Sequence, residues 1–115
     1  MNPDELVRAH VRRFNAGVET GDLGPMLDGL TEDAVMSFEG VPIAPSEGRT
    51  AIEDVYRRRP PDDTIEILTI DSGEEKAVAA YAWSREGGRR AGEMRFAFAR
   101  DGRIDRLVVT FDQAS

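Results

Sequence analysis

The stretch EMRFAFARDGRIDRLVVTF, Glu93 to Phe111, decides the fold. In it Met94, Phe96 and Phe98 alternate with Glu93, Arg95 and Ala97, and beyond Asp101-Gly102 the residues Leu107, Val109 and Phe111 alternate with Arg106, Val108 and Thr110. Side chains two apart share a strand face, so the pattern predicts two strands, Arg90 to Ala99 and Ile104 to Phe111, each with one apolar side. Asp-Gly between alternating apolar runs is a hairpin signal. Upstream, Tyr81 and Trp83 repeat the pattern within Lys76 to Arg85, and Thr64 to Asp71 gives one more strand. Ser72-Gly73 and Glu86-Gly87-Gly88 supply the turns between them. Aromatic residues are only 7% of the chain, and their gathering at Tyr81, Trp83, Phe96, Phe98 and Phe111 implies a sheet curled around an apolar hollow.

The first half reads as helices. Asn2 can cap a helix, Pro3 suits its first turn and Glu5 stands three residues after Asn2. Leu6, Val7, His10, Val11, Phe14 and Val18 then recur on one face, with Arg8, Arg12, Asn15 and Glu19 on the other. That helix is predicted over residues 3–19 and ended by Gly21. Asp22 caps a short second helix carrying Leu23, Met26, Leu27 and Leu30, with Thr31-Glu32-Asp33 as its exit. Ala34 to Phe38 is a short strand ended by Gly40-Val41-Pro42, and the segment to Glu47 is loop. A third helix, Ala51 to Arg58, carries Ile52, Val55 and Tyr56 on one face, and Pro60-Pro61 stops it. Helices on one face of an antiparallel sheet make an α+β domain, here a single one over residues 1–115.

A chain of 115 residues fits one domain and buries roughly two-thirds of its unfolded surface, enough for a core without cross-links. There is no cysteine, which excludes disulfides, thiol nucleophiles and thiolate metal sites. A net charge of −7 argues against nucleic acid as a partner. Arginine supplies 14 of the 15 basic residues, a bias of the kind a GC-rich bacterial genome produces. Met1 to Glu5 has neither the basic opening nor the apolar run of a signal peptide, and no stretch approaches the ~20 apolar residues that cross a bilayer. The expectation is a soluble cytoplasmic protein.

Several phrases, in this order and spacing, resemble the SnoaL-like superfamily, also called nuclear-transport-factor-2-like or ketosteroid-isomerase-like. They are Thr20-Gly21-Asp22-Leu23, Leu30-Thr31-Glu32-Asp33-Ala34, Gly48-Arg49-Thr50-Ala51-Ile52, and Phe96 through Ile104. The resemblance covers nearly the whole chain. It implies a cone-shaped, strongly bent antiparallel sheet wrapped around three N-terminal helices, a cystatin-like roll with a pocket on its concave side. It also implies a homodimer formed through the convex side. Carried onto this chain, the pocket would be built from Phe14, Val18, Phe38, Tyr56, Tyr81, Trp83, Met94, Phe96, Val109 and Phe111. The convex, dimer-forming face would hold Glu93, Arg95, Ala97, Val108 and Thr110.

The resemblance also tests one chemistry. Steroid isomerases of this fold use a carboxylate base and an oxyanion site made from a tyrosine and a protonated aspartic acid. On this chain the tyrosine position falls on Phe14, the base on Phe38 and the aspartic acid on Met94. Neither a phenyl ring nor a thioether can take those roles. Tyr56 falls where a supporting tyrosine stands, and is either a phenol offered to a ligand carbonyl or a packed core tyrosine. His10 is the sole histidine, one turn before Phe14, and is either a general base at the pocket mouth or a part-buried structural residue. Glu39 follows Phe38 and by alternation faces away. Asp112 could rim the pocket or meet solvent. Tyr81 and Trp83 are the better binding candidates, with core packing as the rival reading.

No second histidine or suitably spaced carboxylate accompanies His10, so no metal is expected, and no cofactor signature is present. No Ser-His-acid set stands out either. The sequence therefore points to a domain holding a small, mostly apolar molecule between sheet and helices, without the steroid-isomerase acid–base set. One alternative is an isomerase, cyclase or hydrolase acting on a polyketide-like or terpenoid substrate through His10, Glu39, Tyr56 or Asp112. Another is a protein-association module with a filled cavity.

Overall fold

The computed structural model describes residues 2–112. Helix α1 spans Pro3–Thr20, α2 Gly24–Asp28 and α3 Arg49–Arg58; the strands are β1 Leu30–Glu39, β2 Ser46–Glu47, β3 Ile65–Ser72, β4 Lys76–Trp83, β5 Arg90–Phe98 and β6 Ile104–Thr110. A single 3-10 turn, Ser84–Glu86, follows β4. The start of α1 is set as the sequence predicts: the Asn2 side chain accepts from the Glu5 amide, and Pro3 opens the first turn. At its end Gly21 takes a positive φ of 82°, and its amide donates to the Gly17 carbonyl.

The six strands form one open sheet in the order β2-β1-β6-β5-β4-β3. The α+β roll is the architecture expected, with one pairing the sequence did not announce. β1 and β6 run parallel, while the other pairings are antiparallel. Four register irregularities, in the β1–β6, β3–β4, β4–β5 and β5–β6 ladders, bend the sheet. Phe38, Val109, Met94 and Ala79 stand in one cross-strand row, and Met36, Leu107, Phe96 and Ala77 in the next. These rows face the helices. The small alanines of β4 leave room for α1, which lies against β3 and β4 and buries Val7, His10, Val11 and Phe14 there.

The other side of the sheet carries Arg95 opposite Val108 and Ala97 opposite Arg106. Arg95 reaches Glu93 at 3.3 Å and Glu39 at 3.5 Å. Glu93, Arg95, Ala97, Val108 and Thr110 thus occupy the convex face, as the alternation predicts.

The chain departs from the sequence reading in four places. Leu30 begins β1 instead of ending α2, and Thr31, Glu32 and Asp33 belong to that strand. Leu30 pairs with Ile104, whose amide donates to Gly29 at 2.8 Å, so a long-range ladder claims residues whose spacing suited a helix. The supposed loop before Gly48 contains β2, which pairs Ser46 and Glu47 with Met36 and Val35. Phe111 lies just past β6, although its amide still donates to the Glu39 carbonyl. Asn15, placed by periodicity on the solvent face, instead makes two bonds with the Ile65 backbone: its Nδ2 donates to the carbonyl at 2.9 Å and its Oδ1 accepts from the amide at 2.8 Å.

Candidate functional site

A cavity of about 90 Å³ opens between α1, α3 and the concave face of the sheet. His10, Phe14, Ile65, Tyr81, Met94 and Leu107 form its buried floor; Phe38, Tyr56, Pro61, Trp83, Val109 and Phe111, all half-buried, form its upper walls and rim. The floor residues arrive by two periodicities. His10 and Phe14 are one helical turn apart on α1, while Met94, Leu107 and Val109 sit on the inward positions of adjacent strands. At the rim Phe38 and Phe111 stack with centroids 6.4 Å apart, and Tyr81 meets Trp83 edge-on at 5.7 Å.

Four side chains bring polar atoms to this apolar space: Trp83 at the rim, and Tyr81, Tyr56 and His10. The Tyr81 hydroxyl donates to the Thr110 carbonyl at 3.0 Å and is thereby committed. Burial, then the charge of Asp112, pushes its pKa up to about 12. The Tyr56 hydroxyl finds only the Met36 sulfur, at 3.7 Å, a weak acceptor. Burial pushes this phenol still further up, so both tyrosines are neutral donors at ordinary pH. His10 is 3% exposed and makes no side-chain hydrogen bond among the described residues. Its ring meets the Phe96 edge at 5.5 Å. Burial, aided by the Arg13 charge, lowers its pKa to about 4, so the imidazole is neutral at pH 7, with one donor nitrogen and one acceptor.

No aspartate or glutamate lines the cavity among the described residues. The three positions where steroid isomerases carry polar groups, Phe14, Phe38 and Met94, all face it with apolar side chains. Of the other pocket residues named from the sequence, Tyr56, Tyr81, Trp83, Val109 and Phe111 also line it. Val18 and Phe96 do not. Val18 is part-buried against the core and borders a separate groove, and Phe96 lies one row deeper, stacked on Phe98 at 5.8 Å. His10, read as either a general base at the mouth or a part-buried structural residue, is buried on the floor. Glu39 pairs with Arg95 on the convex face, and Asp112 accepts from Arg90 Nε at 3.0 Å, so neither carboxylate enters the cavity. Leu107, Ile65 and Pro61 were not named from the sequence. Leu107 could have been, since it shares the inward alternation of Val109.

A wider groove of about 480 Å³ lies outside, between the α1–α2 junction and α3, and shares Tyr56 and Pro61 with the inner cavity. Its polar groups are already paired: Asp22 Oδ1 accepts from the Gly24 amide at 2.9 Å, and Glu53 pairs with Arg57 at 3.0 Å. The unpaired chemistry is inside. Among the described residues there is no group of three His, Cys, Asp or Glu side chains able to hold a metal ion, and no helix long and apolar enough to cross a membrane.

Comparison with known proteins follows the same lines. Among curated protein sequences none matches the chain. Solved structures match it throughout. The epoxide hydrolase/cyclase-like enzyme SalBIII, of pyran ring formation in the polyether salinomycin, superposes with a TM-score of 0.75 at 22% identity, over 96% of this chain and 91% of that one. A SnoaL-like protein of unknown function from Burkholderia thailandensis gives 0.72 at 19%, over 95% and 96%. A protein of unknown function with a cystatin-like fold from Methylobium petroleophilum gives 0.73 at 16%, over 100% and 80%. At these identities the likeness is one of fold. The family model described as a SnoaL-like domain matches residues 11–107. With that match across most of its length, the chain belongs to the SnoaL-like domain family.

Proposed function

We propose that this SnoaL-like domain holds a small, largely apolar molecule in its inner cavity and lacks the acid–base set of the steroid isomerases. The observation that carries this reading is the cavity lining: aromatic and aliphatic side chains, a neutral imidazole, and no carboxylate among the described residues. A general base for proton abstraction next to a carbonyl needs a proton-accepting group with matched pKa near the substrate. A histidine whose pKa is held near 4 is a poor one.

Size limits the ligand. Small-molecule sites usually enclose roughly 300–1,000 Å³, whereas this cavity holds about 90 Å³. A polyketide-sized molecule therefore requires Phe38, Trp83 and Phe111 to move outward. Trp83 stands at the rim, so its fluorescence reports occupancy. Titrating a panel of single-ring and fused-ring aromatic compounds is expected to shift Trp83 emission saturably for the smaller members. Silence across the whole panel would sink the reading.

The catalytic alternative, an isomerase, cyclase or hydrolase, is favoured by one feature: His10 is an unbonded imidazole inside the cavity. A turnover whose pH–rate profile loses a limb in His10→Ala would establish it. For the convex face we propose a homodimer, supported by the apolar Val78 and Val108 that flank Arg95 on the neighbouring strands and by Ala97 two positions further along β5. Light scattering at micromolar concentration is expected to give twice the chain mass, and a monomer contradicts the proposal.

A further inference from the structure

Four side chains bring polar atoms to the cavity, and the two that lack a named bond differ in depth: the Trp83 indole stands at the half-buried rim, the His10 imidazole is buried. Tyr81 is spent on Thr110 and Tyr56 on Met36, while the His10 imidazole has no partner. Buried polar groups are nearly always bonded, and leaving one unbonded is costly. Among the described residues no fully enclosed side-chain nitrogen or oxygen lacks a partner. The unbonded imidazole nitrogens of His10 therefore keep a little accessible surface, and His10 is one of the residues that line the cavity.

We infer that His10 is the polar anchor of this cavity, and that the ligand is a neutral, single-ring molecule whose hydroxyl group bonds the imidazole at the floor while its ring lies toward Phe38 and Phe111. The inference rests on the binding reading given above and adds the ligand class. A neutral imidazole offers one donor and one acceptor, which a hydroxyl matches from either side. No charged side chain lines the cavity among the described residues, so an ionic ligand would be desolvated there without a counter-charge. An engineered apolar cavity of about 150 Å³ takes one benzene ring. A cavity of about 90 Å³ open at its rim thus has one ring as its upper limit, with the outer edge between the stacked phenyls.

Phenol and toluene, equal in heavy atoms, separate the two ideas. Their dissociation constants are measured from the Trp83 indole cross-peak in 1H–15N spectra, for the native chain and for His10→Phe and His10→Gln. The expected result is that His10→Phe weakens phenol about tenfold and toluene less than twofold, and that His10→Gln recovers part of the phenol affinity. In the native chain phenol, and not toluene, is expected to move the His10 imidazole 15N resonances, a readout that needs no variant to fold. If toluene binds and phenol shows no dependence on His10 and leaves its 15N resonances unmoved, the anchor is overturned while the binding reading stands. If neither binds the native chain, both fall.

Discussion

The Tyr81 hydroxyl bonds the backbone carbonyl of Thr110 at 3.0 Å although a whole strand, β5, lies between their own strands. The residue directly opposite Tyr81 on β5 is Gly92. It has no side chain to obstruct the phenol, and a Cβ placed there would collide with the same Thr110 carbonyl oxygen. One glycine thus lets a tyrosine fasten three strands at the cavity floor.

Gly92→Ala is therefore expected to be severe. The added methyl meets backbone, which cannot rotate away as a side chain can. Overpacking of this kind costs about 3 kcal/mol, to be read as a lower urea midpoint with the slope unchanged. A variant as stable as the native chain would show that β5 and β6 part more easily than their packing implies.

Tyr81→Phe removes the bond without adding bulk. A loss of about 1 kcal/mol is expected in the same titration, the usual net worth of such a hydrogen bond plus a carbonyl left unpaired. In Gly92→Ala the bond is already broken, so adding Tyr81→Phe should cost less there than in the native background, a coupling a double-mutant cycle reads directly.

His10 makes stability depend on pH. Burial holds its pKa at about 4 in the folded chain, against 6.5 when unfolded. Between those values the unfolded chain binds the extra proton, so stability from this group is complete above about pH 6.5 and is lost as pH falls toward 4. The loss is on the order of 3 kcal/mol. Urea unfolding at pH 7 and pH 4.5 measures it, and His10→Phe is expected to flatten the difference. An equal pH dependence in both chains would assign the effect to carboxylates.

Asn15→Ala is expected to destabilise the protein by about 1–2 kcal/mol. It removes both bonds that hold the start of β3 to α1. Hydrogen exchange at the Ile65 amide should accelerate more than at Met94, which lies in the middle of the sheet. Uniform acceleration would mean that the side chain acts on global stability alone.

The sheet was legible because its signal is local: Met94, Phe96, Leu107 and Val109 alternate whatever they pair with, and they face inward as read. What pairs with what was not local. Leu23, Met26, Leu27 and Leu30 share a helical spacing, yet Leu30 belongs to β1 because Ile104 lies alongside it, 74 positions later. Asn15 looked like a solvent residue because a 3.6-residue period carries no information on a partner 50 positions away. The site was legible to the same extent. Inward strand positions put Tyr81, Trp83, Met94 and Val109 around the cavity, and only packing could show that His10 lies at the bottom, that Val18 borders a different groove, and that Phe96 is covered.

The contact between Asn15 and Ile65 has one more consequence. The sheet is open, and β3 is its last strand, with unsatisfied backbone groups that could recruit a strand from another molecule and seed fibrils. The Asn15 amide occupies the amide and carbonyl of Ile65, and the irregularity between Ile67 and Thr69, which leaves Leu68 exposed, spoils a flat template further along. One carboxamide on a helix thus closes one pairing position on that edge to a strand from another molecule.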